Sequence, residues 1–316
     1  GKRHLLPKES GGKREDGENL VPVLAAKRYH LAEDRDSLLQ VKSGKVFGLF
    51  AGSHMAAEID RSAARPQEPT LEEMTRKAIE LLSQDKDGFF LMVEGSQIDW
   101  ADHANDPAHL LSDMGQYERA ARIALDFAKK DGRTLVLLFS DHDTGGLSIG
   151  NYLTSETYSQ MKSPDLLAPL RKMKAASSAL WKKVEKTPTP AAVQAAVAEG
   201  WGMDCTEAQA QRILDLAAVY REDPNYAFGE VLCPAFTNLG WTTHGHVGGD
   251  VPFYAYGPGK PAGLLDGPEV GTVIARALGL DLAALNARLF VPAEQAFPGA
   301  VLSRAGDERN PALKVE

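Results

Sequence analysis

The sequence predicts an α/β protein, and three observations carry that expectation. Short apolar runs of strand length recur along the chain: KVFGLFAG, DGFFLMVE, TLVLLFS and VPFYAYGPG. Stretches with apolar residues at helical spacing lie between them. Histidines and carboxylates gather just past the ends of those runs, where open α/β sheets bind their ligands. Strands alternating with amphipathic helices imply a central sheet flanked by helices on both faces.

KVFGLFAG (45–52) reads as a short buried strand closed by glycine. Thr70-Leu-Glu-Glu73 has the form of a capping box, in which the hydroxyl and the carboxylate satisfy each other's backbone N–H. Leu71, Met74, Ala78, Leu81 and Leu82 then continue at helical spacing. DGFFLMVE (87–94) is apolar on both faces, the pattern of a central strand. Asp106-Pro107 offers an N-cap and a proline at the first helical position. The apolar pattern from Leu110 through Ala128 carries that helix to Lys130, and Asp131-Gly132 ends it. TLVLLFS (134–140) is a third strand running straight into DHDTGG (141–146). VPFYAYGPG (251–259) is a fourth, and PEVGTVIARALGL (268–280) a closing helix.

Residues 151–242 change character. They are rich in Ala, Lys, Glu and Leu at helical spacing, as in LLAPLRKMKAASSALWKKVEK and TEAQAQRILDLAAVYRE, and are broken by TPTP and GWGMD. They read as a mainly helical insertion into a core formed by 1–150 and 243–316, with their apolar stripes as packing faces.

With 316 residues, 43% hydrophobic and 25% charged, the chain is long enough to bury a substantial core. A net charge of −8 argues against nucleic acid as a specific partner, because that binding needs a basic face to displace counterions. It leaves room for a local pocket that takes an anion. No apolar run approaches the roughly 18–20 residues that cross a bilayer. Cys205 and Cys233 fit a pair or two free thiols equally well. The opening GKRHLLPKESGGKREDG is polar, does not read as a secretory leader, and carries no initiating methionine, so the compartment is not legible.

The chemistry-bearing stretch is VEGSQIDWADHAND (93–106). Asp99 and His103 are four apart, hence neighbours on one face of a helical turn. A solvated acidic loop is the plainer reading of those carboxylates alone. Asp141 and His142 are adjacent, and on a regular strand they would point to opposite faces. They serve one cluster only where the strand has ended, and DTGG supplies the turn. HGHVGGD places His244 and His246 just before the fourth strand. Mixed histidine and carboxylate donors suit zinc. Glu94, with no histidine beside it, suits a harder ion such as magnesium. Elsewhere His109 reads as a surface residue, His54 as packed or capping, and Asp102 and Asp106 as solvation and capping.

With these stretches in view, the chain resembles an alkaline phosphatase. KVFGLFAGSHMAAEIDR, PTLEEMTRKAIELL, GFFLMVEGSQIDWADHAND, TLVLLFSDHDTGG and HGHVGGDVPFYAYGPG carry the resemblance, over most of 1–150 and 241–316. It implies the alkaline-phosphatase-like sheet and hydrolysis of small phosphate monoesters through a phosphoserine. It also implies two zinc sites and one magnesium site. Asp99, His103 and His246 would hold the first zinc, Asp141 and His142 the second, and Glu94 the magnesium. His244 competes with His246, and the distance to the Ala-Tyr-Gly-Pro stretch favours His246. Trp100 stands at a position where relatives carry Lys or His near the phosphate, so it shapes the pocket without bringing charge.

A homodimer, a crown, lid or interface role for 151–242, and a periplasmic or extracellular setting follow from the resemblance alone. The family's serine nucleophile in an Asp-Ser-Ala setting, its clamping arginine and further metal ligands find no counterpart. Ser62 in DRSAAR lacks that setting. The expectation is therefore a C-terminal part of such an enzyme, inactive by itself. The alternatives are another metal-dependent phosphohydrolase or phosphotransferase of the same superfamily, and a non-catalytic metal-binding fragment.

Overall fold

The structure, a computed structural model, describes residues 1–307 and 309–316. It divides into two compact units, Gly1–Tyr256 and Gly257–Glu316.

In the first unit, β1 (Tyr29–Ala32) runs parallel to β2 (Lys45–Gly48). α1 (Leu71–Leu82) begins at the expected capping box: the Thr70 hydroxyl accepts the Glu73 N–H and the Glu73 carboxylate accepts the Thr70 N–H. α2 (Gln97–His103) is a short helix. α3 (Pro107–Asp131) starts on the Asp106 side chain, which accepts the N–H groups of Ala108 and His109. It ends at Gly132 in the left-handed region, φ 73°, which glycine adopts without a Cβ clash.

β3 (Val136–Phe139) and β8 (Phe253–Tyr256) form an antiparallel pair, Val136 opposite Tyr256. Two shorter pairs lie between them in sequence. β4 (Asp143–Thr144) pairs with β7 (His246–Val247), and β5 (Ser148–Ile149) with β6 (Leu239–Gly240). The α/β class thus takes the form of strands joined two by two among the described residues.

DGFFLMVE departs from expectation: 87–94 finds no ladder partner among the described residues and is not a strand. Its side chains still alternate. Phe89 packs on Phe127 of α3, their ring centroids 5.9 Å apart, whereas Phe90 and Met92 are 57% and 73% exposed. An apolar run becomes a central strand only where neighbours take up its N–H and C=O groups.

The main core lies in the helices after residue 170. α4 (Ser177–Val184), α5 (Pro190–Trp201), α6 (Glu207–Val219) and α7 (Tyr226–Phe236) enclose Leu180, Val193, Trp201, Ile213, Phe228 and Leu232, all fully buried. Cys205 and Cys233 are buried free thiols. Burial raises the pKa of both. Among the described residues no single helix is long and apolar enough to cross a membrane.

In the second unit, α8 (Gly267–Ala277) starts at a capping box between Asp266 and Glu269. β9 (Leu302–Gly306) and β10 (Pro311–Val315) form an antiparallel pair.

Candidate metal centre

The short helix α2 presents Asp99 in its first turn and His103 in its last, four residues apart on one face. The His103 Nε2 lies 3.4 Å from the Asp99 Oδ2. Beyond β3 the chain turns through Ser140, whose hydroxyl donates to the His142 carbonyl at 2.7 Å. The β4–β7 pair then sets Thr144 opposite His246, bringing the Asp141-His142 turn beside the HGHVGGD loop. The His142 and His246 rings stack with centroids 3.6 Å apart, and His103 stands 5.2 Å from His246. Donor atoms of Asp99, His142 and His246 all fall within 4.8 Å of one another, close enough to share one ion. The Asp141 Oδ2 lies 3.3 Å from the His142 Nε2, so this carboxylate borders the trio.

Glycine permits this closure at DTGG. Gly145 has φ 76° and Gly146 φ 61°, backbone conformations that L side chains rarely take. A Cβ on Gly145 would stand 2.8 Å from the Asp102 carbonyl oxygen and 2.9 Å from the Trp241 ring. The Gly145 N–H donates to the Gly245 carbonyl at 2.9 Å, and its own carbonyl accepts the Thr242 N–H at 2.9 Å.

Two groups that the sequence pattern does not mark shape the site. Thr144, buried, donates its hydroxyl to the Asp99 Oδ1 at 2.7 Å and accepts from the His142 Nδ1 at 3.1 Å. A hydroxyl inside the DHDTGG run was the only available signal. Asp102 is the second: it is not a solvated loop residue, and its Oδ1 is buried with no hydrogen-bond partner among the described residues. Burial first, then the nearby Asp143 and Asp99 carboxylates, push its pKa up to about 7. His109, expected on the surface, is also buried, its Nε2 3.0 Å from the Gln97 Oε1 and 3.5 Å from the Asp113 Oδ2. Asp106 is the N-cap it was expected to be.

The remaining site residues divide. Glu94 is exposed and lies outside the trio, lining an 80 Å³ cavity with Arg61 and Gln97. Trp100 packs edge-on to His54, ring centroids 4.0 Å apart. His244 is half-buried. Its ring is stacked on Tyr226 at 5.1 Å and set edge-on to Tyr220 at 5.3 Å. Burial, with Asp223 and Asp99 nearby, pushes the Tyr226 phenol up to about 12, so it keeps its proton at neutral pH.

Strand-end loops of an α/β chain here bring two imidazoles and a carboxylate to donor distance of one another, an arrangement that could hold a metal ion. The chain belongs to the alkaline phosphatase family, whose model matches residues 1–280. It is 39% identical over 269 residues to alkaline phosphatase 3 of Bacillus subtilis, covering 82% of this chain and 54% of that protein. Alkaline phosphatase 4 of the same organism is 34% identical over 270 residues, with the same coverage, so the chain spans about half the length of these curated relatives. Among solved structures, the Thermus thermophilus alkaline phosphatase matches with a TM-score of 0.79 at 26% identity, over 89% of this chain and 62% of that one. The cold-active enzyme from Shewanella sp. matches at 0.61 and 30%, over 76% and 56%.

Proposed function

We propose that this chain supplies the metal-holding part of a phosphate-monoester hydrolase. The observation that carries the reading is the convergence of Asp99, His142 and His246 to within 4.8 Å. The donor set, two imidazoles and a carboxylate, fits zinc in chemistry. As the family resemblance implies, Asp99, His103 and His246 would hold one zinc, Asp141 and His142 a second, and Glu94 a magnesium, so the converging trio draws its donors from both zinc sites. A divalent ion there supplies a Lewis acid for the phosphoryl oxygens of a small phosphate monoester. The chain's own residues prepare the place. Thr144 fixes the Asp99 carboxylate through a hydrogen bond, and His142 through its Nδ1. The His103 Nδ1 faces the His244 carbonyl, an acceptor, so it carries the proton and leaves Nε2 free as a ligand. Trp100, packed edge-on to His54, would shape the substrate's surroundings and brings no charge.

The covalent step of the same reading, through a phosphoserine, finds no serine among these donors, so turnover forms a separate arm of the test. A homodimer, and a lid or interface role for 151–242, belong to the same proposal.

The test is zinc titration of the chain against a competing chelator, for the unmodified chain, Asp99→Asn and His246→Ala. Tight binding by the unmodified chain is expected, with a loss in each variant above the roughly 10–100-fold that outer contacts cost. Equal binding by all three would overturn the site. This chain alone is expected not to hydrolyse p-nitrophenyl phosphate. Turnover that persists in chelator would overturn the metal-dependent reading.

A further inference from the structure

Both nitrogens of His244 face oxygen acceptors. Its Nδ1 lies 2.6 Å from the His103 carbonyl, and its Nε2 lies 3.4 Å from the Glu230 Oε2. The first contact is reciprocated, because the His103 Nδ1 meets the His244 carbonyl. Two imidazoles thus clasp each other's backbone across 141 residues of chain. The outer ring of the clasp sits in an aromatic slot. Tyr226 lies parallel to it at 5.1 Å and 20°, Tyr220 edge-on at 5.3 Å and 72°. Tyr220 also donates its hydroxyl to Glu230, so the carboxylate is held from a second side.

The slot comes from the helices. Tyr226 and Glu230 are four apart on α7, hence on one face, and Tyr220 is the C-cap of α6. Those helices carry fully buried Ile213, Phe228 and Leu232 in the main core, which fixes their position. A third tie reaches the same loop. Asn105, at φ 50°, directs its amide nitrogen at the carbonyls of Asp102 and Thr243, 3.0 and 3.1 Å away in the orientation that satisfies both.

We infer that His244 and Glu230 are positioning residues, through which the helical region sets the ring orientation and tautomer of His103 and the place of His246. Neither needs to touch an ion. Glu230 and the two tyrosines hold His244, and His244 holds the backbone of His103 while its own carbonyl takes the His103 Nδ1 proton. The His103 Nε2 is then left bare and turned toward Asp99. Two residues on from His244, His246 is carried by the same short loop into its stack with His142. The inference rests on the metal-centre reading for its consequence in binding, and on geometry alone for its effect on His103.

The test uses His244→Ala, Glu230→Ala and Glu230→Gln in the full chain, with two readouts. Chelator competition should show zinc binding weakened about 10–100-fold in both alanine variants. It should be largely restored in Glu230→Gln, whose amide oxygen still accepts a hydrogen bond. Ring-nitrogen NMR of the metal-free chain should show His103 protonated at Nδ1 in the unmodified chain and in Glu230→Gln, and a mixture of tautomers in the alanine variants. Circular dichroism reports whether each variant folds. Glu230 sits at a partly exposed position, so its variants stand in if His244→Ala does not fold. Folded alanine variants with unchanged zinc affinity and unchanged His103 tautomer would overturn the inference. If the unmodified chain binds no zinc, the metal-centre reading fails, and the His103 tautomer still decides this one: Nε2 protonated in the unmodified chain would overturn it.

Discussion

Thr144 joins two residues of the trio with one hydroxyl, donating to Asp99 and accepting from His142. Valine has nearly the same shape without that hydroxyl, so Thr144→Val should leave the fold intact. Zinc affinity should fall about 10–100-fold, as read by chelator competition. That Asp99, His142 and His246 come together follows from signals that are local in the sequence. Asp99 and His103 share a helical face by spacing, and Asp141-His142 sits at a strand exit followed by two glycines that can turn. Thr144 was not legible as an orienting group, because its acceptor lies 45 residues away. Asp102 and His109 were misread for the same reason. Whether a polar side chain in a loop or on a helix is solvated depends on what packs over it, and sequence spacing carries no record of that.

At the scale of elements, α4 begins without a cap of its own. Asp60 and Asp106 supply one from elsewhere: the Asp60 Oδ2 accepts the Ala176 N–H at 3.2 Å and the Asp106 Oδ2 accepts the Ser177 N–H at 2.5 Å. Both carboxylates sit where the N-terminal helix dipole favours negative charge. For Asp60, burial outweighs the hydrogen bond and raises its pKa above the ordinary carboxylate value. The folded chain therefore holds that proton more tightly than the unfolded chain does. The stabilisation is complete below the ordinary carboxylate pKa and is lost as pH rises through the folded value. Asp60→Asn keeps an acceptor for Ala176 and removes the titration. Its melting temperature should gain on the unmodified chain as pH rises from about 4 to about 8, read by thermal melts of both. Short-range caps such as Thr70–Glu73 and Asp106 with Pro107 were readable, since donor and acceptor lie within three residues. The strand expected at 87–94 was not, because a ladder is a property of two segments and only one is written there.

Across the whole molecule, the weight of buried apolar surface lies in the helices rather than beside the strands. Phe228 and Trp201 meet edge-to-face at 6.4 Å with no exposed surface. Phe228→Ala should cost about 3–5 kcal/mol in denaturant unfolding, through lost transfer energy and the cavity left behind. The helical periodicity of 177–219 announced packing faces. It did not announce that these faces would enclose the main core, since the apolar strand runs look more like core on composition alone. The clasp between His103 and His244 bears on how the centre is made. The partners are 141 residues apart, and a ribosome adds about 5–20 residues per second. Asp99 and His103 therefore emerge about 7–28 s before the loop that completes their surroundings. An ion captured earlier would meet Asp99 and His142 without His246, so loading of the proposed centre belongs to the chain once that loop is made and not before.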